Sequence, residues 1–199
     1  MKAYMKNQFE FLGIAMPVRR SVFKEYLKKN PIENVDTLAR TAKELWQLPE
    51  REFQYCAIDL LLVNHQLWNE EIIYLFEELV CTKSWWDTVD GMAYDCMGKY
   101  FKLYPQKIEK ITTQWNLSDN MWLQRCSLLF QKNYKKETDV ALLSKYIQQL
   151  LTSKEFFIQK SIGWILREYA KTNGDWVVTF AQQTNLPNLS RREALKHIK

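Results

Sequence analysis

Trp86 and Asp90 stand four residues apart in the string Lys83-Ser84-Trp85-Trp86-Asp87-Thr88-Val89-Asp90. On a helix that spacing puts both side chains on one face. An indole face attracts a cation, and a carboxylate stabilises positive charge beside it. The chain carries a net charge of +5, a balance that favours polyanionic partners. Together these residues predict a site where a cationic centre on nucleic acid meets an aromatic ring and an acid. Tryptophan at helical spacing is equally at home in a core, so the pattern alone leaves Trp86 open between the two roles.

A second stripe points the same way. Lys160, Trp164, Arg167 and Lys171 follow one another at steps of four, three and four. One tryptophan among three cations makes a poor core seam and a good nucleic-acid face. Its rival is a tryptophan buried beneath snorkelling lysines. Arg125, one turn after Trp122, falls level with Lys160 in the repeat described below. The two are expected on one phosphate track, with a surface ion pair as the alternative for Arg125. The run Ser190–Lys199 adds Arg191, Arg192, Lys196 and Lys199, and phosphate contact explains it no better than a solvated helix end.

Other chemistries find little support. His65 and His197 are the only histidines, and the four cysteines contain no Cys-x-x-Cys pair, so neither a metal site nor a cofactor is expected. Cys56, Cys81, Cys96 and Cys126 read as buried free thiols of a reducing cytoplasm. A glycine-rich phosphate loop, a His-Glu-x-x-His motif and a Gly-x-Ser-x-Gly turn are all missing from the sequence. No apolar run has transmembrane length, and the first residues lack a signal-peptide core.

The elements that must position these residues are helical. With 5 Gly and 5 Pro there is little turn material for a β fold, and apolar residues recur at steps of three and four. Helices are expected at 3–12, 17–29, 36–47, 50–64, 70–81, 85–102, 105–115, 119–134, 138–151, 155–172, 175–184 and 190–198. Asp36, Ser118, Ser153 and Ser190 occupy N-cap positions in this reading. Five segments align on a small, polar or proline residue followed by Phe53, Trp86, Trp122, Phe157 and Ala194, spaced 33, 36, 35 and 37 residues apart. That period predicts stacked helix pairs of HEAT-like type: an all-α, right-handed α-solenoid of about six pairs with a concave groove. One domain is expected over 1–199. Four residues after each anchor stand Ala57, Asp90, Cys126, Ser161 and Ile198. Asp90 is the one acid of the set, and it is expected to face the groove or to have a specific partner, because burying it alone costs several kcal/mol.

The strings Tyr4–Asn7, Leu48–Gln54, Thr82–Asp90, Trp122–Arg125, Lys154–Lys160, Gly163–Lys171 and Ser190–Ala194 resemble the AlkD family, DNA alkylation repair glycosylases built from HEAT-like repeats. The resemblance implies excision of positively charged N3- and N7-alkylpurines, such as 3-methyladenine and 7-methylguanine, from duplex DNA without extruding the base. By that resemblance Asp90 matches the catalytic acid. Trp86 and Trp164 match the tryptophans that contact the lesion deoxyribose, Arg125 matches a backbone contact, and Tyr4 matches a tyrosine that holds the lesion strand. Lys160, Arg167, Lys171, Arg191 and Arg192 complete the expected DNA contacts. The family pattern also implies that the first N-terminal helix is truncated here. The expected protein is a monofunctional hydrolase acting as a monomer on double-stranded DNA, without metal, cofactor or membrane, in the bacterial cytoplasm. Its rivals are a non-catalytic HEAT-like scaffold for DNA or protein and a structured-RNA binder.

Overall fold

The computed structural model describes residues 1–197. Twelve α-helices run through them: α1 Met16–Lys29, α2 Val35–Gln47, α3 Arg51–Val63, α4 Ile72–Cys81, α5 Trp86–Gly91, α6 Gly98–Leu103, α7 Ile108–Asn116, α8 Met121–Leu129, α9 Val140–Gln149, α10 Phe156–Ala170, α11 Gly174–Gln183 and α12 Asn188–Ala194. The only bridge between extended segments among the described residues joins Glu10 and Glu50. The chain forms two compact units, Met1–Leu79 and the residues from Val80 onward.

In the first unit Leu38, Ala42 and Trp46 of α2 are buried, as are Ala57, Leu60 and Leu61 of α3. The helix expected at 3–12 does not form. Lys6 and Asn7 adopt left-handed φ values of 53° and 58°, and the chain ahead of α1 is held from a distance instead. The buried Glu52 carboxylate accepts hydrogen bonds from the backbone N–H groups of Leu12, Gly13 and Ile14 at 3.0, 2.9 and 3.3 Å. The Arg51 guanidinium lies 3.8 Å from the centre of the Phe9 ring. These tertiary anchors override a weak local helical pattern.

The second unit stacks its helices with a period visible in the contacts themselves. Lys102 pairs with Glu137 at 2.6 Å and Lys145 with Glu109 at 3.2 Å. Tyr134 Oη donates to Gly98 O at 2.7 Å. Partners of this kind lie about one repeat apart, as expected of a solenoid in which each pair rests on its neighbour. Gln54, Gln124 and Gln159 repeat another device, each turning its side-chain amide back onto the loop that precedes its helix (Leu48 O at 2.8 Å, Ser118 O at 2.7 Å, Ser153 O at 3.1 Å).

Two departures shape the site. First, the helical run from Trp86 to Leu103 widens into a π-helix over Met92–Met97, a feature often found near function. Second, α8 ends at Leu129 rather than running on to 134, giving way to turns and a 3-10 turn at Lys135–Glu137. The helix starts are capped by residues other than those expected. Asn34, Asn120, Asp139 and Asn173 accept from N–H groups of the first turn, while Ser190 sits inside α12. The α12 helix stops at Ala194, and Ile198, the fifth residue of the Asp90 alignment, lies outside the described residues. Cys56, Cys96 and Cys126 are buried as expected, but Cys81 is exposed at the end of α4. No described helix is long and apolar enough to cross a membrane.

Candidate active site around Asp90

Asp90 lies near the end of α5 and is 6% exposed. Its counterparts Ala57, Cys126 and Ser161 are buried as well, so the repeat gives all four the same inward seat. A carboxylate there requires a partner, and Arg125 of α8 supplies it. Arg125 Nε donates to Asp90 Oδ1 at 2.6 Å and Nη2 to Oδ2 at 2.9 Å, a two-point fork. The third nitrogen, Nη1, donates to Phe157 O at 2.6 Å. Burial pushes the Asp90 carboxyl above the usual aspartate range, and the Arg125 guanidinium pulls against that push.

The structure gives Arg125 partners within the protein: it is 4% exposed, and all three of its nitrogens are engaged there. The physical reason is the acid one repeat earlier, because a buried carboxylate without a matching charge costs more than the pair.

Around the pair stand aromatic rings and a further cation. Trp164 of α10 is half-buried, and its ring centre lies 5.9 Å from the Arg125 guanidinium carbon. Lys132 Nζ sits 5.0 Å from the same ring and 4.0 Å from the ring of Tyr94. Tyr94 and Trp164 meet edge to face at 6.1 Å. Burial, with the charges of Asp95 and Asp90, raises the Tyr94 phenol to about 12, so it remains a neutral hydroxyl at physiological pH. Behind them Trp85, Trp122 and Phe157 form a cluster with ring separations of 5.0 to 6.0 Å. Lys83, with a left-handed φ of 47°, turns the chain ahead of it. Trp85 therefore takes a place in this cluster, and Trp86, half-buried, opens α5.

The predicted phosphate contacts divide. Lys160 and Arg167 both bind Glu193. Lys171 pairs with Glu168 at 2.8 Å. Arg191 Nη2 donates to Thr184 O at 3.0 Å, and Arg192 is exposed. Tyr4 belongs to the first unit, where it is 73% exposed. Tyr94 and Lys132 escaped the sequence reading. Lys132 was within reach of it, because it precedes Arg167 by the same 35 residues that separate Arg125 from Lys160.

The described residues form an all-α protein of stacked HEAT-like pairs with a buried aspartate–arginine fork beside an indole. The sequence model of the DNA alkylation repair enzyme family matches residues 1–198, and the chain belongs to that family. Among solved structures it is similar to a predicted DNA alkylation repair enzyme from Enterococcus faecalis, at 38% identity and a TM-score of 0.93, covering 100% of this chain and 92% of that one. AlkD2 from Streptococcus mutans shares the fold at 18% identity and a TM-score of 0.71, covering 99% of this chain and 97% of the other. The smu.31 protein of Streptococcus mutans UA159 does so at 18% identity and a TM-score of 0.68, over 90% and 92%. A comparison with curated proteins returns no match.

Proposed function

We propose that the protein is a monofunctional DNA glycosylase that hydrolyses the N-glycosidic bond of positively charged N3- and N7-alkylpurines in duplex DNA, without flipping the base. The observation that carries this reading is the Asp90 carboxylate, buried yet oriented by the fork of Arg125, whose guanidinium carbon lies 5.9 Å from the centre of the Trp164 ring. An alkylpurine bearing a formal positive charge is already a good leaving group, so its departure needs little acid catalysis. As the bond breaks, positive charge moves onto the deoxyribose, as in other oxocarbenium-like transition states. Asp90 stabilises that charge and orients the attacking water. The indoles of Trp86 and Trp164 add cation–π attraction that grows as the sugar becomes cationic.

Arg125 acts through Asp90. Its fork opposes the burial that favours the neutral acid, and fixes the plane of the carboxylate. Lys160, Arg167, Lys171, Arg191, Arg192 and Tyr4 hold the DNA backbone in this reading and carry no sequence information. Residues 1–199 act as one functional domain, as a monomer, with no metal or membrane in the step.

The competing reading is a non-catalytic scaffold in which the same ion pair only staples α5 to α8. Incubation with duplex DNA containing 7-methylguanine separates the two. The glycosylase reading predicts free base released faster than its spontaneous loss, with the abasic strand uncut. Release at the spontaneous rate sinks it in favour of the scaffold, and strand cleavage without added base would reject the monofunctional assignment.

A further inference from the structure

Glu193 is a carboxylate that the basic C-terminal run conceals. It lies on α12, which packs directly onto α10 at Gly163. A Cβ at that glycine would stand 2.5 Å from Glu193 Cβ and 2.8 Å from Ser190 O, so only glycine admits the approach. Ser190 Oγ also donates to Gln159 O at 2.7 Å. These contacts secure the two helices and bring Glu193 to the two cations that flank Trp164 along α10. Lys160 Nζ reaches Glu193 Oε1 at 3.0 Å, and Arg167 Nη1 binds Oε2.

We propose that Lys160 and Arg167 form a phosphodiester-binding site in which Glu193 is the resident anion, exchanged for a backbone phosphate when DNA docks. One carboxylate presents two oxygens to a lysine and an arginine, which is the pattern a phosphodiester offers through its two non-bridging oxygens. The site is open to that exchange, since the Lys160 and Arg167 side chains are 38% and 23% exposed. The Glu193 side chain is 14% exposed, so the pairs sit at the edge of solvent, and a phosphate that takes them over also releases condensed counterions. The helix interface does not need the carboxylate, because Gly163 and Ser190 already supply its close contact. What the carboxylate changes is charge. It leaves the free site at +1 instead of +2, which weakens attachment to any duplex. The hydrogen bond from Lys160, more than that from Arg167, holds the Glu193 carboxyl below the usual glutamate range.

The inference rests on the DNA-binding part of the proposed function and is tested without catalysis. Binding of an undamaged duplex is measured against salt for the wild type, Glu193→Gln and the triple variant Glu193→Gln/Lys160→Gln/Arg167→Gln. Glu193→Gln is expected to bind more tightly at every salt concentration, with a slope of log K against log salt close to that of the wild type, because the same phosphate contact forms in both proteins. The triple variant loses that gain and falls below the wild-type slope. Affinity unchanged or weakened in Glu193→Gln, or a triple variant that keeps the wild-type slope, overturns the proposal and leaves Glu193 as a helix clamp. If Glu193→Gln does not fold, the carboxyl resonance of Glu193 in the wild type decides: it moves on DNA addition if the anion is displaced, and its constancy overturns the proposal. A wild type that binds no duplex at any salt defeats the DNA reading as well, while base release with an affinity that Glu193→Gln leaves unchanged defeats this inference alone.

Discussion

Replacing Arg125 with methionine probes the pair on which the site is built. Methionine keeps much of the length of the side chain but removes three donors: those at 2.6 and 2.9 Å to Asp90 and the one at 2.6 Å to Phe157 O. With both partners buried, the change strands a carboxylate in a low-dielectric seat, and breaking a buried pair from one side costs about 3–5 kcal/mol. For a chain of this size each kcal/mol lowers Tm by about 2–4 °C, so a fall of roughly 6–20 °C is expected in thermal unfolding followed by circular dichroism. The loss depends on pH. Burial already pushes the Asp90 carboxyl upward, and without Arg125 nothing of comparable strength opposes it. A folded pKa raised above the unfolded one means that the protonated form is favoured by folding. The variant is therefore penalised fully at pH values above its folded Asp90 pKa, and the deficit shrinks as pH falls through that value towards the unfolded one. The double variant Asp90→Asn/Arg125→Met, with no charge left to strand, should recover most of the lost stability. A deficit under about 1 kcal/mol for Arg125→Met, or one that does not narrow in acid, would refute the account of a carboxylate held by Arg125.

Trp164→Ala should slow base release about 2- to 30-fold, the range of one cation–π contact, with a much smaller change in affinity for undamaged duplex; equal losses in both would assign the ring to general binding. Gly163→Ala should destabilise the protein by about 1–3 kcal/mol in urea unfolding, because the new methyl meets Glu193 Cβ at 2.5 Å and backbone at 2.8 Å; a neutral effect would show that α12 yields easily.

The helices and their period were legible because apolar steps of three and four repeat through most of the chain, and because Phe53, Trp86, Trp122 and Phe157 mark each pair. The N-terminal segment was not, since its conformation depends on Glu52 and Arg51, some forty residues away, rather than on local propensity. At the site, the register located Asp90 and forced the choice between a groove and a partner. It also aligned Arg125 with Lys160, which drew attention to phosphates and away from the acid one repeat earlier. Pairing across repeats depends on which way a side chain turns, and spacing does not encode that. Glu193 was lost for a related reason: within a basic run its charge was counted as part of a sum, whereas the fold sets it between Lys160 and Arg167.

In the proposed mechanism the negative charge of Asp90 accelerates departure of a cationic base. Single-turnover release of 7-methylguanine from duplex DNA, with enzyme in excess and Asp90→Asn beside the wild type, isolates that charge. The asparagine variant is expected to bind the duplex about as well but to release base roughly 100-fold more slowly, or at the spontaneous rate where that is faster. Release by both proteins at the same rate, above the spontaneous background, would rule out a role for the charge.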